Sequence, residues 1–190
     1  MQVELPELAI AAALAWGAGL RAYAVVFAVG LAGATGWVEL PGHLSALEQP
    51  VVIAASGFMT LVELFADKLP WLDSLWDAVH SFIRIPAGAA LAAAVFGDSG
   101  LGVSVAAALL GGTLSAAVHA TKAGTRAAIN TSPEPFSNWT ASLSEDAAVP
   151  LGLWVAVVHP WMFLALLAVF LVAAALLARI IWRGLKTVLS

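Results

Sequence analysis

Four ionisable side chains recur at helical spacing in the first half of this 190-residue chain. They are Asp73, Asp77, His80 and Arg84, at positions i, i+4, i+7 and i+11, which places them on one face of an α-helix. Carboxylates bind cations and protons, and histidine gains or loses a proton near neutral pH. This stripe therefore predicts a site that handles ions, protons or a charged solute.

A second stripe at similar spacing is mostly cationic. It consists of His119, Lys122, Arg126 and Asn130. Further acids lie close in sequence, because Glu63 and Asp67 precede the first stripe and Glu145 and Asp146 follow the second. We expect the acids and bases to face each other inside a compact bundle, where His80 and His119 could relay protons. The simpler interpretation is that they only neutralise one another.

A divalent metal ion is a sharper form of the same hypothesis. Asp73, Asp77 and His80 offer carboxylate oxygens and one imidazole, which together suit such an ion. Spacing is the only support for this site, since the chain has no His-Glu-x-x-His motif. The chain has no cysteine, which excludes disulfides, iron–sulfur clusters and thiolate zinc sites.

The composition requires lipid as the solvent for most of the surface. Hydrophobic residues make up 62% of the chain and charged residues only 11%, whereas soluble domains are about a quarter charged. The formal net charge of −4 argues against a nucleic-acid partner, because binding phosphates needs clustered Lys and Arg. We therefore predict one all-α integral membrane domain over residues 1–190, a polytopic bundle of about six transmembrane helices.

Spans of about 20 apolar residues divide the chain into six segments that end at polar residues, proline or glycine. The segments cover 8–35, 51–66, 77–97, 101–120, 139–159 and 161–182. The first contains Arg21 and several glycines, which predicts a bend. Counting back from their ends, the third segment includes Asp77 and the fifth includes Glu145. Because a charge at the bilayer centre costs a few kcal/mol, such side chains should face protein or water.

The loops differ in charge, and this difference predicts the orientation. All Lys and Arg residues except Arg21 lie on or near one side of the six predicted spans: Lys68, Arg84, Lys122, Arg126, Arg179, Arg183 and Lys186. By the positive-inside rule this side, with both termini, is cytoplasmic. The N-terminus is acidic, unlike the basic start of a signal peptide, so we expect the first segment to be retained.

The second and third segments resemble the fourth and fifth as hairpins. Pro86 and Pro150 each precede a glycine by two residues at similar depth, which predicts a parallel repeat of two hairpins and a kink in each helix. The stretch between the hairpins includes Asn130, Glu134 and Asn138, and its two prolines prevent regular helix throughout. It is either a plain cytoplasmic loop or a re-entrant segment that lines water.

Several motifs, taken together, resemble a known family. They are ADK-x-PW-x-DS-x-WD-x-x-H from Ala66 to His80, R-x-P-x-G from Arg84 to Gly88, HATKAG-x-R from His119 to Arg126 and NTSPEP-x-SN from Asn130 to Asn138. The chain is similar along nearly its whole length to an uncharacterised bacterial multi-pass membrane family, the domain of unknown function four-one-two-six. The resemblance implies a bacterial protein, and hence an inner-membrane location, but no activity, substrate or catalytic residue.

The physical chemistry favours a small transporter or channel for an ion or small solute, with a polar route open to the cytoplasm. The candidate transport or binding residues are Glu63, Asp67, Lys68, Asp73, Asp77, His80, Arg84, His119, Lys122, Arg126, Asn130, Glu134, Asn138, Glu145 and Asp146. Six short spans are few for one pathway, so we expect a homo-oligomer surrounded by membrane lipids.

Two other classes of function remain open. In a membrane-embedded enzyme or phospholipid-headgroup binder, Lys122 and Arg126 would hold a lipid phosphate, while Asp73, Asp77 and His80 would bind a metal or act as general base. The chain has no nucleophile elbow, Walker loop or dinucleotide fingerprint, so an enzyme is the less favoured interpretation. A scaffold for partner helices is the third class.

Overall fold

The computed structural model describes residues 4–129 and 136–189, without the side chains of residues 70, 71, 73, 74 and 181–189. Over these residues the chain forms only helices. The α-helices are α1 (Leu5–Ala34), α2 (Pro50–Ala66), α3 (Pro70–Val95), α4 (Leu101–Ile129), α5 (Phe136–Val158) and α6 (Pro160–Leu189), and short 3-10 helices cover Gly42–Glu48 and Gly97–Ser99. The predicted all-α class is confirmed for this part of the chain.

Five of these helices, α1, α3, α4, α5 and α6, are long and apolar enough to cross a membrane. Helix α2 passes the same test together with Gly42–Glu48, from which it is bent by 74°. A polytopic bundle of about six apolar segments is therefore confirmed. Three boundaries differ from the prediction by seven residues or more, and one of them is the end of α6, at Leu189 instead of residue 182. Helix α3 begins at Pro70, since proline suits the first helical turn, and α4 continues past residue 120 to Ile129 because its polar side chains there are buried.

The bundle has two ends that differ in charge. We call the end that carries Lys68, where α2 and α4 end and α3 and α5 begin, the basic end. The opposite end contains the connections at residues 35–49, 96–100 and 159, and we call it the acidic end. There the ring of His43 lies against Gly97, and its Nε2 is 3.6 Å from Oδ1 of Asp98.

Helix α1 is broken at Arg21, whose φ of −149° and ψ of 82° are not helical. In a straight helix, residues eight apart are separated by about 12 Å, yet a Cβ on Gly17 would lie 2.7 Å from Cγ2 of Val25. Leu14 and Ala28, which lie at equal distances in sequence from the break, line the same cavity. The two halves of α1 therefore lie side by side as a helical hairpin with Arg21 at its tip.

The first arm of this hairpin, residues 5–20, runs from the acidic end towards the middle of the bundle. Ala9 packs in one cluster with Ala156, near the C-terminal end of α5, and with Phe163, near the start of α6. Further along the arm, Gly17 lies against Val149 of α5. Since the contacts move backwards along α5 as they move forwards along α1, the first arm and α5 are antiparallel.

The second arm, residues 22–34, returns to the acidic end. Phe27 packs over Gly57 of α2, and Gly30 lies against Ile53 of α2 and the carbonyl of Leu47. The second arm and α2 are therefore antiparallel as well. In the structure both ends of α1 lie at the same end of the bundle, whereas the sequence predicted one continuous span and both termini on one side. The N-terminal end of α1 lies at the acidic end, and α6 runs towards the basic end.

The length and composition of α1 are compatible with two packed arms. At 1.5 Å per residue the arms measure about 24 Å and about 20 Å, so each arm is shorter than a hydrocarbon layer about 30 Å thick. Alanine and glycine dominate the buried face of both arms, which allows their backbones to approach closely. Every other α-helix packs against α1. The hairpin is thus the core around which the bundle is built.

The two prolines that were predicted to kink their helices lie inside continuous helices. Pro86 lies within α3 and Pro150 within α5. The glycines that follow them have different neighbours, because Gly88 packs against Ser115 of α4 whereas Gly152 packs against Trp16 of α1. The parallel repeat of the two hairpins stays a prediction.

Candidate functional site

Nine charged side chains from five helices meet around the tip of the α1 hairpin, and we call them the charge cluster. They are Arg21, Glu63, Asp67, Asp77, Arg84, Lys122, Arg126, Glu145 and Asp146. Seven of them are at most 4% exposed. The side chains of Glu145 and Asp146 are 15% and 21% exposed, which makes α5 the least covered side of the cluster.

Arg84 of α3 joins α2 and α4 at one edge of the cluster. Its Nη2 binds Oε1 of Glu63, and its Nη1 is 2.5 Å from Oδ1 of Asp77. The same Nη1 is 3.2 Å from Nδ1 of His119, while Nε2 of His119 is 2.6 Å from the Ser81 hydroxyl. One guanidinium therefore serves two buried carboxylates, and His119 lies beside it.

Arg21 occupies the opposite edge. Its Nη2 is 2.8 Å from Oδ2 of Asp67, and its Nε is 2.7 Å from Oδ1 of Asp146. Nη2 also donates to the hydroxyl of Ser142 at 3.1 Å. The tip of the α1 hairpin is thus held by polar contacts to α2 and α5, the two helices that flank its arms.

Lys122 of α4 connects the two edges. Its Nζ lies 3.1 Å from Glu145, 3.5 Å from Asp77 and 3.6 Å from Asp67. It also donates to the carbonyl of Leu20 at 3.1 Å. The break at Arg21 leaves this carbonyl without its helical partner. Lys122 therefore places one positive charge among three acids and also stabilises the end of the first arm.

Arg126, one turn further along α4, binds α5. Its Nε and Nη2 are each 3.2 Å from an oxygen of Glu145, a bidentate pair. Its Nη1 donates to the carbonyl of Asn138 at 3.1 Å and also to the side-chain oxygen of that residue. Helices α4 and α5 are therefore joined through charged groups at the basic end.

His80 lies beside the cluster among aromatic rings. Its ring stacks on Trp76 at 4.0 Å and meets Tyr23 of the second arm edge-on at 5.7 Å. Its Nδ1 is 2.8 Å from the carbonyl of Trp76. Among the described residues no group of three or more His, Asp or Glu side chains could hold a metal ion. The side chain of Asp73 lies outside the described residues, so the metal site of Asp73, Asp77 and His80 stays a prediction.

Three other predicted residues remain. One lies at the edge of the cluster, and two lie outside the residues that the structure describes. Lys68 is partly buried at the basic end, where its Nζ donates to the carbonyl of Leu64 at 2.7 Å and its charge acts on Asp146. Asn130 and Glu134 lie outside the described residues, so the re-entrant or plain nature of their stretch is not described either. The assignment of all the predicted residues to transport or binding stays a prediction.

Sequence reasoning missed the residues that the hairpin brings to the cluster. Arg21 entered the prediction only as a cause of bending, although a single arginine deep in an apolar segment is itself a sign of a buried acidic partner. Ser142, Ser81 and Tyr23 have no such sign, because hydroxyl groups also occur on ordinary packed faces. The contacts of Ser142 and Tyr23 depend on the fold of α1, and that of Ser81 with His119 depends on how α3 and α4 pack, neither of which spacing along the chain contains.

Comparison with known proteins identifies the family. A family model described as "Domain of unknown function (DUF4126)" matches residues 8–180. No curated protein and no solved structure matches the chain. The motifs from Ala66 to Asn138 that resemble this family all lie within the matched range. The match extends over nearly the whole chain, and the chain therefore belongs to the DUF4126 family.

Proposed function

We propose that the protein is a small transporter or channel for an ion or small solute in the bacterial inner membrane. Its polar route would pass through the charge cluster and open to the cytoplasm at the basic end. The observation that carries this proposal is a cluster of nine charged side chains, seven of them buried, around a hairpin tip that stops inside the bundle. Intramembrane ionisable groups are rare and mark ion or substrate pathways.

The pattern of pairing supports movement of charge through the cluster. Lys122 lies within 3.6 Å of three carboxylates, Asp67, Asp77 and Glu145. A cation with several acidic partners can exchange one for another without leaving a buried charge alone, which would cost about 3–5 kcal/mol. Purely structural pairing would be satisfied by one partner for each charge.

The broken helix supports the proposal independently. In many transporters, discontinuous helices place their half-helix ends and freed carbonyls at the membrane midplane, where substrate and coupling ions bind. Here the carbonyl of Leu20 is freed at the break and faces Lys122. The exposed fractions of Glu145 and Asp146, beside Lys68, favour access from the basic end.

Flux measurements test the proposal. Purified protein in liposomes is expected to pass at least one member of a panel of protons, alkali cations, halides and small organic ions faster than empty liposomes do. The Asp77→Asn and Lys122→Ala variants are expected to reduce this flux to the level of empty liposomes, because each removes a charge from the route. Asp98→Asn changes an acid that is 80% exposed at the acidic end, and it should retain the flux. Liposomes no leakier than empty ones across the panel would refute the proposal.

A membrane-embedded enzyme or lipid-headgroup binder makes a different prediction. It needs Lys122 and Arg126 to hold a phosphate, whereas both hold carboxylates in this structure. Native mass spectrometry separates the two interpretations and also counts the subunits of the expected homo-oligomer. A phospholipid that remains bound to the protein and is lost in Arg126→Ala would favour the headgroup binder, and so would an unchanged flux in Lys122→Ala.

A further inference from the structure

We propose that the α1 hairpin is the gate of the pathway and that Arg21 is its latch. This inference rests on the proposed function, because a gate requires a pathway. In this arrangement the two arms separate the charge cluster from the acidic end. The contacts of Arg21 with α2 and α5 hold the tip in the closed position. A solute at the cluster would reach the acidic end when these contacts are exchanged and the tip moves.

The position of the hairpin makes it the barrier. Its first arm is buried, with Ala9, Ala13 and Ala18 at 0% exposure, and its second arm is partly buried, with Val25 at 0%. The two arms occupy the part of the bundle between the tip and the acidic end. The segment Gly42–Glu48 packs over the same end, where Gly42 lies against the carbonyls of Ala94 and Val95. Any route from the cluster to the acidic end must therefore pass beside the arms.

The latch consists of contacts that can be exchanged. Arg21 holds Asp67 at 2.8 Å and Asp146 at 2.7 Å. If Arg21 leaves, Asp67 keeps two other cations nearby, since Lys122 is 3.6 Å away and Arg126 is 3.9 Å away. The buried acid is thus not left alone when the tip moves, and the large penalty for an unpaired buried charge is avoided.

The hairpin also has room to move. A cavity of about 340 Å³ lies between the arms, α5 and the segment that follows α1. Its lining is apolar and includes Leu14, Ala28, Leu44 and Trp154. The cavity opens to the outside of the bundle, since Trp37 and Trp154 in its lining are 85% and 57% exposed. An open apolar space beside the arms allows them to shift without compressing packed atoms.

Cysteine accessibility tests the gate, because the chain has no native cysteine. Ser142 is 0% exposed beneath the tip, and Ser142→Cys changes one small polar group for another. With Arg21 in place, this cysteine is expected to be unreactive towards a membrane-impermeant maleimide. In Arg21→Gln, and separately in Asp146→Asn, it should react with reagent added at the acidic end. The two latch variants provide independent readings if one of them fails to fold.

Two controls distinguish gate opening from general loosening. Ala92→Cys reports on the packed core, where Ala92 is 2% exposed, and it should stay unreactive in both latch variants. Arg84→Gln removes a cluster cation whose described partners lie on α2, α3 and α4, and it should leave Ser142→Cys unreactive.

The outcomes separate this inference from the proposed function. Reaction of Ser142→Cys only from the basic end, equal reaction of Ala92→Cys, or no reaction in either latch variant would overturn the gate. If liposomes that contain the unchanged protein were no leakier than empty ones, the transport proposal would be overturned, whatever the cysteine labelling shows. Faster flux in Arg21→Gln, together with a cysteine that reacts from the acidic end, would support both.

Discussion

Replacing Lys122 by methionine is expected to lower the free energy of unfolding by about 3–5 kcal/mol, the range for breaking a buried ion pair by removing one partner. Lys122 is 4% exposed and lies within 3.6 Å of three carboxylates. Methionine fills a similar volume but leaves these acids with less positive charge. Unfolding in mixed micelles with increasing denaturing detergent, followed by circular dichroism, measures the change.

Lys68→Met is the matched control. Lys68 lies at the edge of the cluster, and its Nζ donates to the carbonyl of Leu64. Its replacement should change the free energy of unfolding by about 1 kcal/mol or less, as for other partly exposed polar contacts. In the Lys122→Met background, Asp67→Asn should recover part of the loss because it removes one negative charge from a cluster that then holds five acids but only three cations. Equal stabilities of Lys122→Met and Lys68→Met would contradict the central role of Lys122.

The type and spacing of charges along the chain were enough to single out eight of the nine residues of the cluster, all except Arg21. Asp77 and Arg84 share one face of α3, and Lys122 and Arg126 share one face of α4, as the helical period requires. The membrane-like composition and the length of each apolar segment predicted most helix ends to within three residues. These features depend only on residues that are close together in sequence, so they can be recognised for each helix without knowing which helices it packs against.

The pairing of these faces and the path of α1 are not local features. A stretch of apolar residues long enough for one crossing is also long enough for a hairpin that enters halfway and returns. No proline marks the break at Arg21, and alanine and glycine suit both a straight span and two packed arms. The contact of Gly17 with Val25 decides between them, and this contact exists only in the folded chain.

The path of α1 predicts that the two termini lie on opposite faces of the membrane. A single cysteine at Glu4, in an otherwise cysteine-free chain, is expected to react with an impermeant maleimide from the same face as Asp98→Cys, which marks the acidic end. Ala127→Cys marks the basic end, because residue 127 lies about 39 Å along α4 from its start, beyond the hydrocarbon layer. The reagent that modifies Glu4→Cys and Asp98→Cys should leave Ala127→Cys unmodified.

A single crossing by α1 would give the opposite result, with Glu4→Cys reacting together with Ala127→Cys. The distribution of charge agrees with the hairpin. Lys68, Lys122 and Arg126 lie towards the basic end, which the positive-inside rule predicts to be cytoplasmic, whereas Glu4 and Glu7 at the start of α1 lie at the acidic end. In the hairpin, Arg21 reaches the cluster on a segment that enters and leaves the bundle at the acidic end. The labelling pattern therefore also determines from which face of the membrane this segment enters.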